Sequence, residues 1–285
     1  MESGTSSENS ICSAGKKDGE QKPSASSAPR AVFLDIDGTL ISKNGGPYEE
    51  DLRQIQEARR RGHRFFLNTG RSLAIVPRNL LEAPYIDGIA AGGGAHVLLK
   101  QEGVLRTVYH KWISADLLRA AAALYIEMKK WCIFEGETRL YAFRPECCTL
   151  SLDNCLPVTT EHDFDIKYPG AIVTKLTMED GSAEEKEAAL LKNAFHIFPQ
   201  NGYHEAIIRG ESKARAMEII LEHLGMSRSG SVAMGDSAND IDMIRFAGLG
   251  IAMGNACDEL KQASHAVTAP CGEGGIAGAL LKYVL

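Results

Sequence analysis

Apolar residues in this chain gather into short runs that stop abruptly at polar turns. Residues 31–34, 63–68 around Phe65-Phe66-Leu67, 86–91, 231–234 and 249–252 are such runs. Short, nearly continuous apolar runs bounded by turn residues read as strands buried on both faces. Between them the period lengthens. Leu52, Ile55 and Ala58 mark a helix over 47–61, with Pro47 suited to its first turn and Gly62 ending it. Ala216, Ile219, Ile220 and Leu224 mark another over 212–224, capped by Ser212 and closed by Gly225. Strand and helix in alternation imply right-handed crossovers and a parallel sheet, an α/β Rossmann-like core.

The alternation changes near Lys111. An Ala- and Leu-rich helix is expected over 114–130, then short strands at 132–134, 138–143 and 171–178, a helix over 182–192, and strands at 194–198 and 203–208. This pattern is an α+β unit inserted into the parallel fold. Core segments 31–110 and 208–285 then flank an inserted α/β cap at 111–207. Within it Arg144, Lys175, His196, His204 and Arg209 read as solvated surface. Before it, residues 95–99 and 104–109 read as a hairpin following Gly92-Gly93-Gly94, which form either a flexible turn or a phosphate cradle. Residues 1–30 hold eight serines, balanced charges and no aromatic residue, the composition of a disordered tail.

The chain has 285 residues, enough for about two domains, and a net charge of −6 without a long basic run. The electrostatic footprint of a nucleic-acid binder is missing. No apolar run reaches a membrane span and no apolar secretory segment opens the chain. Seven cysteines, with Cys147 and Cys148 adjacent and no C-x-x-C spacing, suggest reduced thiols rather than a disulfide framework or a zinc site. These features together predict a cytoplasmic protein.

The chemistry-bearing residues sit where the apolar runs end. Asp35 and Asp37 follow the first, on one face if the extended conformation persists, with Gly38 turning the chain. Adjacent like charges need compensation, such as a hard divalent cation, although an acidic strand-to-turn cap is the alternative. The second run ends in Asn68-Thr69-Gly70-Arg71, where backbone N–H groups and a hydroxyl can hold an oxyanion, or where Ser72 merely caps a helix. Lys213 stands in a helix first turn, the wrong end for a cation unless an anion lies beside it or it faces solvent. The fourth run enters Gly235-Asp236-Ser237-Ala238-Asn239-Asp240, more acids than a cap requires. Turns after parallel strands open on one sheet edge, where ligands bind.

Taken together these pieces resemble the haloacid dehalogenase superfamily: Asp35-Ile36-Asp37-Gly38-Thr39-Leu40, Thr69-Gly70-Arg71, Lys213, and Gly235-Asp236 with Asn239-Asp240 look like its four motifs in order. The inserted unit, the Gly-Ala turn at Gly94 and the Gly-Asp-x-x-Asn-Asp-x-x-Met motif resemble the Cof-like sugar-phosphatase branch. Ser237 and Gly93 depart from it, standing where Gly and Asn are frequent. The resemblance implies Asp35 as a nucleophile forming an aspartyl-phosphate and Asp37 as acid and base. It implies Mg²⁺ held by Asp35, Asp236 and the Asp37 carbonyl, with Asp240 in support. Thr69, Gly70, Lys213 and Asn239 would hold the phosphoryl oxygens, and Arg71 would assist. The implied substrate is a small phosphate monoester, a sugar phosphate or a phosphorylated cofactor, with the cap setting specificity. A phosphomutase or phosphotransferase, or a regulatory protein on the same scaffold, are the alternatives. The expected partner is a small phosphorylated metabolite, with no nucleic acid or membrane, for a monomer or weak homodimer.

Overall fold

The computed structural model describes residues 28–42, 45–144, 146, 155–179, 185–200 and 202–285. In chain order its strands are β1 (Ala31–Leu34), β2 (Ile41–Ser42), β3 (Gly45–Pro47), β4 (Arg64–Asn68), β5 (Gly88–Ala91), β6 (His96–Gln101), β7 (Val104–His110) and β8 (Cys132–Gly136). They continue with β9 (Leu140–Phe143), β10 (Leu156–Pro157), β11 (Val173–Glu179), β12 (Phe195–Pro199), β13 (Tyr203–Ile208), β14 (Ser231–Gly235), β15 (Leu249–Ala252) and β16 (Ala266–Val267). The α-helices are α1 (Glu49–Arg60), α2 (Arg78–Leu81), α3 (Ala115–Met128), α4 (Asp163–Ile166), α5 (Glu185–Ala194), α6 (Lys213–Leu224), α7 (Ile241–Phe246), α8 (Asp258–Ala263) and α9 (Gly275–Tyr283).

Eight strands form one sheet in the order β16-β15-β14-β1-β4-β5-β6-β7. It is parallel from β16 to β5, and β6 and β7 join antiparallel. The expected parallel sheet therefore carries an antiparallel edge. The chain reverses first at Gly92–Gly94, between β5 and β6, and again at the two-residue loop Glu102-Gly103, with φ of 50° and 81°, a left-handed turn whose twist matches the β6–β7 hairpin. Successive side chains of β1 alternate between the two faces. Val32 and Leu34 pack with Ile55 of α1 and Leu280 of α9, while Ala31 and Phe33 pack with Met217 of α6 and Ile244 of α7. Three layers result, with β1 central.

A second sheet has six strands in the order β10-β9-β8-β11-β13-β12. One face buries Phe134, Leu176, Met178 and Ala206 with Leu118 and Tyr125 of α3 and Leu191 of α5. The opposite parity, Glu135 on β8, Lys175 and Thr177 on β11 and Tyr203 and Glu205 on β13, faces the first sheet. Ala74 packs there against Ile133 and Leu140.

Three local expectations change. Helix α1 starts at Glu49, and Pro47 lies in β3, paired antiparallel with β2. Ser72 starts only a 3-10 turn, Leu73–Ile75, and makes no side-chain cap bond. Pro77 is the reason: the residue before a proline is pushed out of the helical region, and Val76 has ψ 126°. Order is present by Arg30, whose N–H donates to His63 Nδ1 at 3.0 Å. The rest of the expected tail, the Cys147-Cys148 pair and the expected helix start at 182 lie outside the described residues. Among the described residues no disulfide joins Cys132, Cys155, Cys257 and Cys271, and no helix is long and apolar enough to cross a membrane.

Candidate active site

Strands β14, β1 and β4 are neighbours whose ends are level, with Leu34 opposite both Met234 and Leu67. Asp35, Asp236 and Thr69 therefore emerge on one edge. The chain does not stay extended beyond Asp35. It turns at Ile36, whose carbonyl accepts from the N–H of Ile41 at 2.8 Å. The two carboxylates consequently part. Asp35 is buried at 5% exposure, whereas Asp37 is solvent-accessible and gripped by Arg71, from Nε at 2.7 Å and Nη2 at 2.6 Å. Gly38 adopts φ +74°, and a Cβ there would lie 2.1 Å from Asp236 Oδ2, so the turn fits beside that carboxylate only as glycine.

The cation at the wrong end of α6 has its anionic neighbours. Ser212 caps the helix by accepting from the Arg215 N–H at 3.1 Å, and Asn68 Nδ2 donates to the Lys213 carbonyl at 2.9 Å. Lys213, 3% exposed, donates from Nζ to Asp35 Oδ1 at 2.7 Å, Asp240 Oδ1 at 2.5 Å and Asn239 Oδ1 at 3.2 Å. Asp240 is fully buried, and its Oδ2 accepts from the N–H groups of Asp236 at 3.0 Å and Ser237 at 3.1 Å. The acid placed in support by the sequence thus ties the lysine to the turn.

Oxygens of Asp35, Asp236 and Asp240 lie within 4.8 Å of one another. Burial pushes the Asp35 carboxyl up to about 8, with Asp240 and Asp236 adding repulsion and Lys213 opposing. Burial followed by Asp240 and Asp37 raises Asp236 to about 7, again against Lys213. Burial disfavours charge on Lys213, but Asp240 and Asp35 outweigh it and hold its pKa above the ordinary value. One ammonium does not balance this cluster. Asp236 Oδ1 is buried without a hydrogen-bond partner among the described residues. An all-oxygen donor set, an orphaned carboxylate oxygen and excess negative charge fit a hard divalent cation.

Opposite the acids, Thr69 Oγ1 accepts from the Arg71 N–H at 3.1 Å. The carbonyls of Thr69 and Arg71 accept in turn from Gly93 at 3.0 Å and Gly92 at 2.6 Å. These glycine N–H groups brace the loop at Thr69 to Arg71 and are not a phosphate cradle. A cavity of about 650 Å³ is lined by Asp35, Asp37, Thr69, Gly70, Arg71, Asp236 and Asn239, which the sequence singled out. Lys213 and Asp240 lie behind this wall.

The sequence reading missed several lining residues. Asn255 donates from Nδ2 to the Gly38 carbonyl at 2.8 Å and accepts at Oδ1 from the Cys271 N–H at 2.7 Å. Its signal was available, since it follows the end of β15 as the other site residues follow theirs. Lys175 is a correction. It is not solvated surface but buried at 2% exposure, paired with Glu205, 3.5 Å from Glu135, and donating to the Gly70 carbonyl at 3.1 Å. Of the other polar residues grouped with it, His196 and Arg209 are exposed, and Arg144 and His204 half-buried.

The sequence model for haloacid dehalogenase-like hydrolases matches residues 32–280. YkrA of Bacillus subtilis (strain 168) is 29% identical over 261 residues, covering 90% of this chain and 98% of that protein. From the same organism, 5-amino-6-(5-phospho-D-ribitylamino)uracil phosphatase YcsE is 28% identical over 257 residues, covering 90% and 96%. The solved structure of the subclass IIB sugar phosphatase BT4131 superposes with a TM-score of 0.74 at 26% identity, covering 88% of this chain and 98% of that one. With its four motifs gathered on one sheet edge, the chain belongs to the haloacid dehalogenase-like hydrolases and is a phosphatase of the Cof-like kind.

Proposed function

We propose that this phosphatase hydrolyses a small phosphate monoester, a sugar phosphate or a phosphorylated cofactor, in two steps through Asp35. The observation that carries the reading is the buried Lys213 spanning Asp35 and Asp240 behind the cavity. With Oδ1 holding the ammonium, the other Asp35 oxygen attacks phosphorus while the bond to the leaving oxygen breaks, giving an aspartyl-phosphate. Asp37 gives its proton to that oxygen, then takes one from the water that displaces Asp35. Arg71 grips the Asp37 carboxylate in the structure, and in the first step it turns toward the phosphoryl oxygens, joined by Thr69, the Gly70 backbone and the Asn239 amide. Lys213 acts from behind, its ammonium opposing the burial that favours the protonated form of Asp35.

Asp35, Asp236 and the Asp37 carbonyl would hold Mg²⁺, with Asp240 orienting the turn that carries Asp236. When bound, the ion would offset negative charge on the phosphoryl group. A cavity of about 650 Å³ admits a substrate of sugar or cofactor size, and the ribityl and sugar phosphates in the names of YcsE and BT4131 support that class.

The test is phosphate release from p-nitrophenyl phosphate and a panel of phosphorylated metabolites, with and without Mg²⁺, beside Asp35→Asn. Release that needs the metal and disappears in a folded Asp35→Asn protein is expected. Appreciable turnover by the variant would remove Asp35 as nucleophile, and metal-independent release would remove the assigned ion.

A further inference from the structure

The cavity does not end at the phosphate loop. A second chamber of about 490 Å³ shares Asp37, Arg71, Tyr203 and Glu205 with the first and reaches Glu135 and Thr177 beneath the second sheet. If Asp37 protonates the leaving oxygen, as proposed above, the leaving group extends from Asp37 into this chamber. What lines the chamber then decides what is hydrolysed, and this inference rests on that reading.

The chamber has two kinds of wall. Ile75, Ile133 and Leu140 are apolar and can receive a carbon skeleton. The polar wall comes from three adjacent strands of one sheet face, where Lys175 is opposite Glu135 in register and Thr177 opposite Glu205. Lys175 pairs with Glu205, lies 3.5 Å from Glu135 Oε1, and donates to the Gly70 carbonyl. Thr177 Oγ1 donates to the same Glu135 oxygen at 2.5 Å. Arg71 is held by Asp37 in the structure and, in the reaction proposed above, turns to the phosphoryl oxygens, so neither position gives it to the chamber. Two carboxylates thus share one ammonium. The second oxygen of Glu135, a residue only 4% exposed, is buried with no hydrogen-bond partner among the described residues. A buried acceptor in that state is destabilising until a donor meets it.

We propose that this chamber selects leaving groups that carry hydroxyl or amine donors and no negative charge, with Glu135 Oε2 accepting the selecting hydrogen bond. A donor there satisfies the orphaned oxygen. A carboxylate or second phosphate would instead meet an uncompensated carboxylate where water cannot screen it. Lys175 does not rescue such a ligand, because its one ammonium is already shared by Glu205 and Glu135 and donates to the Gly70 carbonyl.

Three six-carbon phosphates differing in charge at the far end provide the test: glucitol 6-phosphate, glucosamine 6-phosphate and 6-phosphogluconate. Their affinities are measured by calorimetry on full-length Asp35→Asn protein with Mg²⁺, so that binding is read without turnover. The neutral and cationic ligands are expected to bind at least tenfold more tightly than 6-phosphogluconate. Adding Glu135→Gln is expected to bring that ratio within about threefold, a change that a general loss of packing would not produce, since it would weaken all three together. Equal or tighter binding of 6-phosphogluconate to the Asp35→Asn protein overturns the proposal, as does an unchanged ratio in the double variant. Should Glu135→Gln fail to fold, the ratio in Asp35→Asn decides alone. Failure of the wild-type protein to hydrolyse p-nitrophenyl phosphate would count against the phosphatase reaction itself, which this binding ratio does not touch.

Discussion

Lys213 shows how much one side chain can carry when it is buried. Its two carboxylate acceptors, Asp35 and Asp240, are themselves buried, so removing the ammonium leaves them facing one another in a medium that screens them poorly. Breaking a buried ion pair by deleting one partner typically costs about 3–5 kcal/mol. Lys213→Ala should therefore lower stability by that order in urea unfolding and also abolish turnover; a variant as stable as wild type would show that the acids simply take up protons. His96 is the opposite case, a buried group kept neutral. It stacks on His110 at 4.2 Å with Nε2 3.0 Å from Thr107 Oγ1, and burial, with His110 adding, lowers its pKa to about 4. The unfolded chain takes up this proton below about 6.5 and the fold does not, so its contribution is intact above that pH and lost as pH falls toward 4. Thermal melts should show His96→Gln losing less stability than wild type across that window, and parallel curves would exclude His96 as the cause. Lys175 marks the limit of reading residues one at a time. Its burial depends on Glu135 and Glu205, far away in sequence, and the only signal was an acid, a lysine and an acid at matching parity on three strands.

At the scale of elements, what was legible followed from period. The motif-bearing strands are apolar runs with an Asp or Thr just beyond, and α6 carries both its Ser212 cap and its left-handed Gly225. Elements decided by distant contacts were not legible. Asp51 looks like an ordinary acid in the first turn of α1, yet it is buried and accepts from the Ala277 N–H at the start of α9 at 2.7 Å. The glycine turn after β5 is similar. Its N–H groups hold the Thr69 to Arg71 loop from one side, while at Gly94, with φ +103°, an added Cβ would lie 2.2 Å from the Ser212 carbonyl beside Lys213. Two motifs are thus set against one turn. Gly94→Ala should move both and reduce kcat/KM at least tenfold, equivalent to about 1.4 kcal/mol of transition-state stabilisation. Steady-state kinetics on a folded variant checks this, and wild-type kinetics would show that the turn is only a connection.

Over the whole molecule the acidic cluster links stability to pH and, on the proposed reading, to metal. The raised values of Asp35 and Asp236 mean that the metal-free fold retains protons the unfolded chain releases above about 3.8. Stability from this source is greatest at low pH and declines as pH rises toward about 7 for Asp236 and 8 for Asp35. Its sign is opposite to that of His96. A cation bound to the ionised acids reverses the decline, contributing about 2.7 kcal/mol at a hundredfold excess over its dissociation constant. Melting temperatures in chelator and in Mg²⁺ should diverge with rising pH. A gap that stays constant, or closes, would mean that these carboxylates do not bind the ion.

The central place of β1 also governs how the chain is made. Its neighbours are β4, which emerges from the ribosome soon after it, and β14, whose Ser231 pairs with Ala31. One edge of β1 therefore stays open through most of synthesis, while the whole second sheet is translated. Neither Lys213 nor Asp236 exists until that interval is nearly over, so on the proposed reaction a stalled or truncated nascent chain would lack phosphatase activity. It does present an unpaired apolar strand edge, which makes this interval, rather than the finished protein, the time when aggregation threatens and chaperones matter.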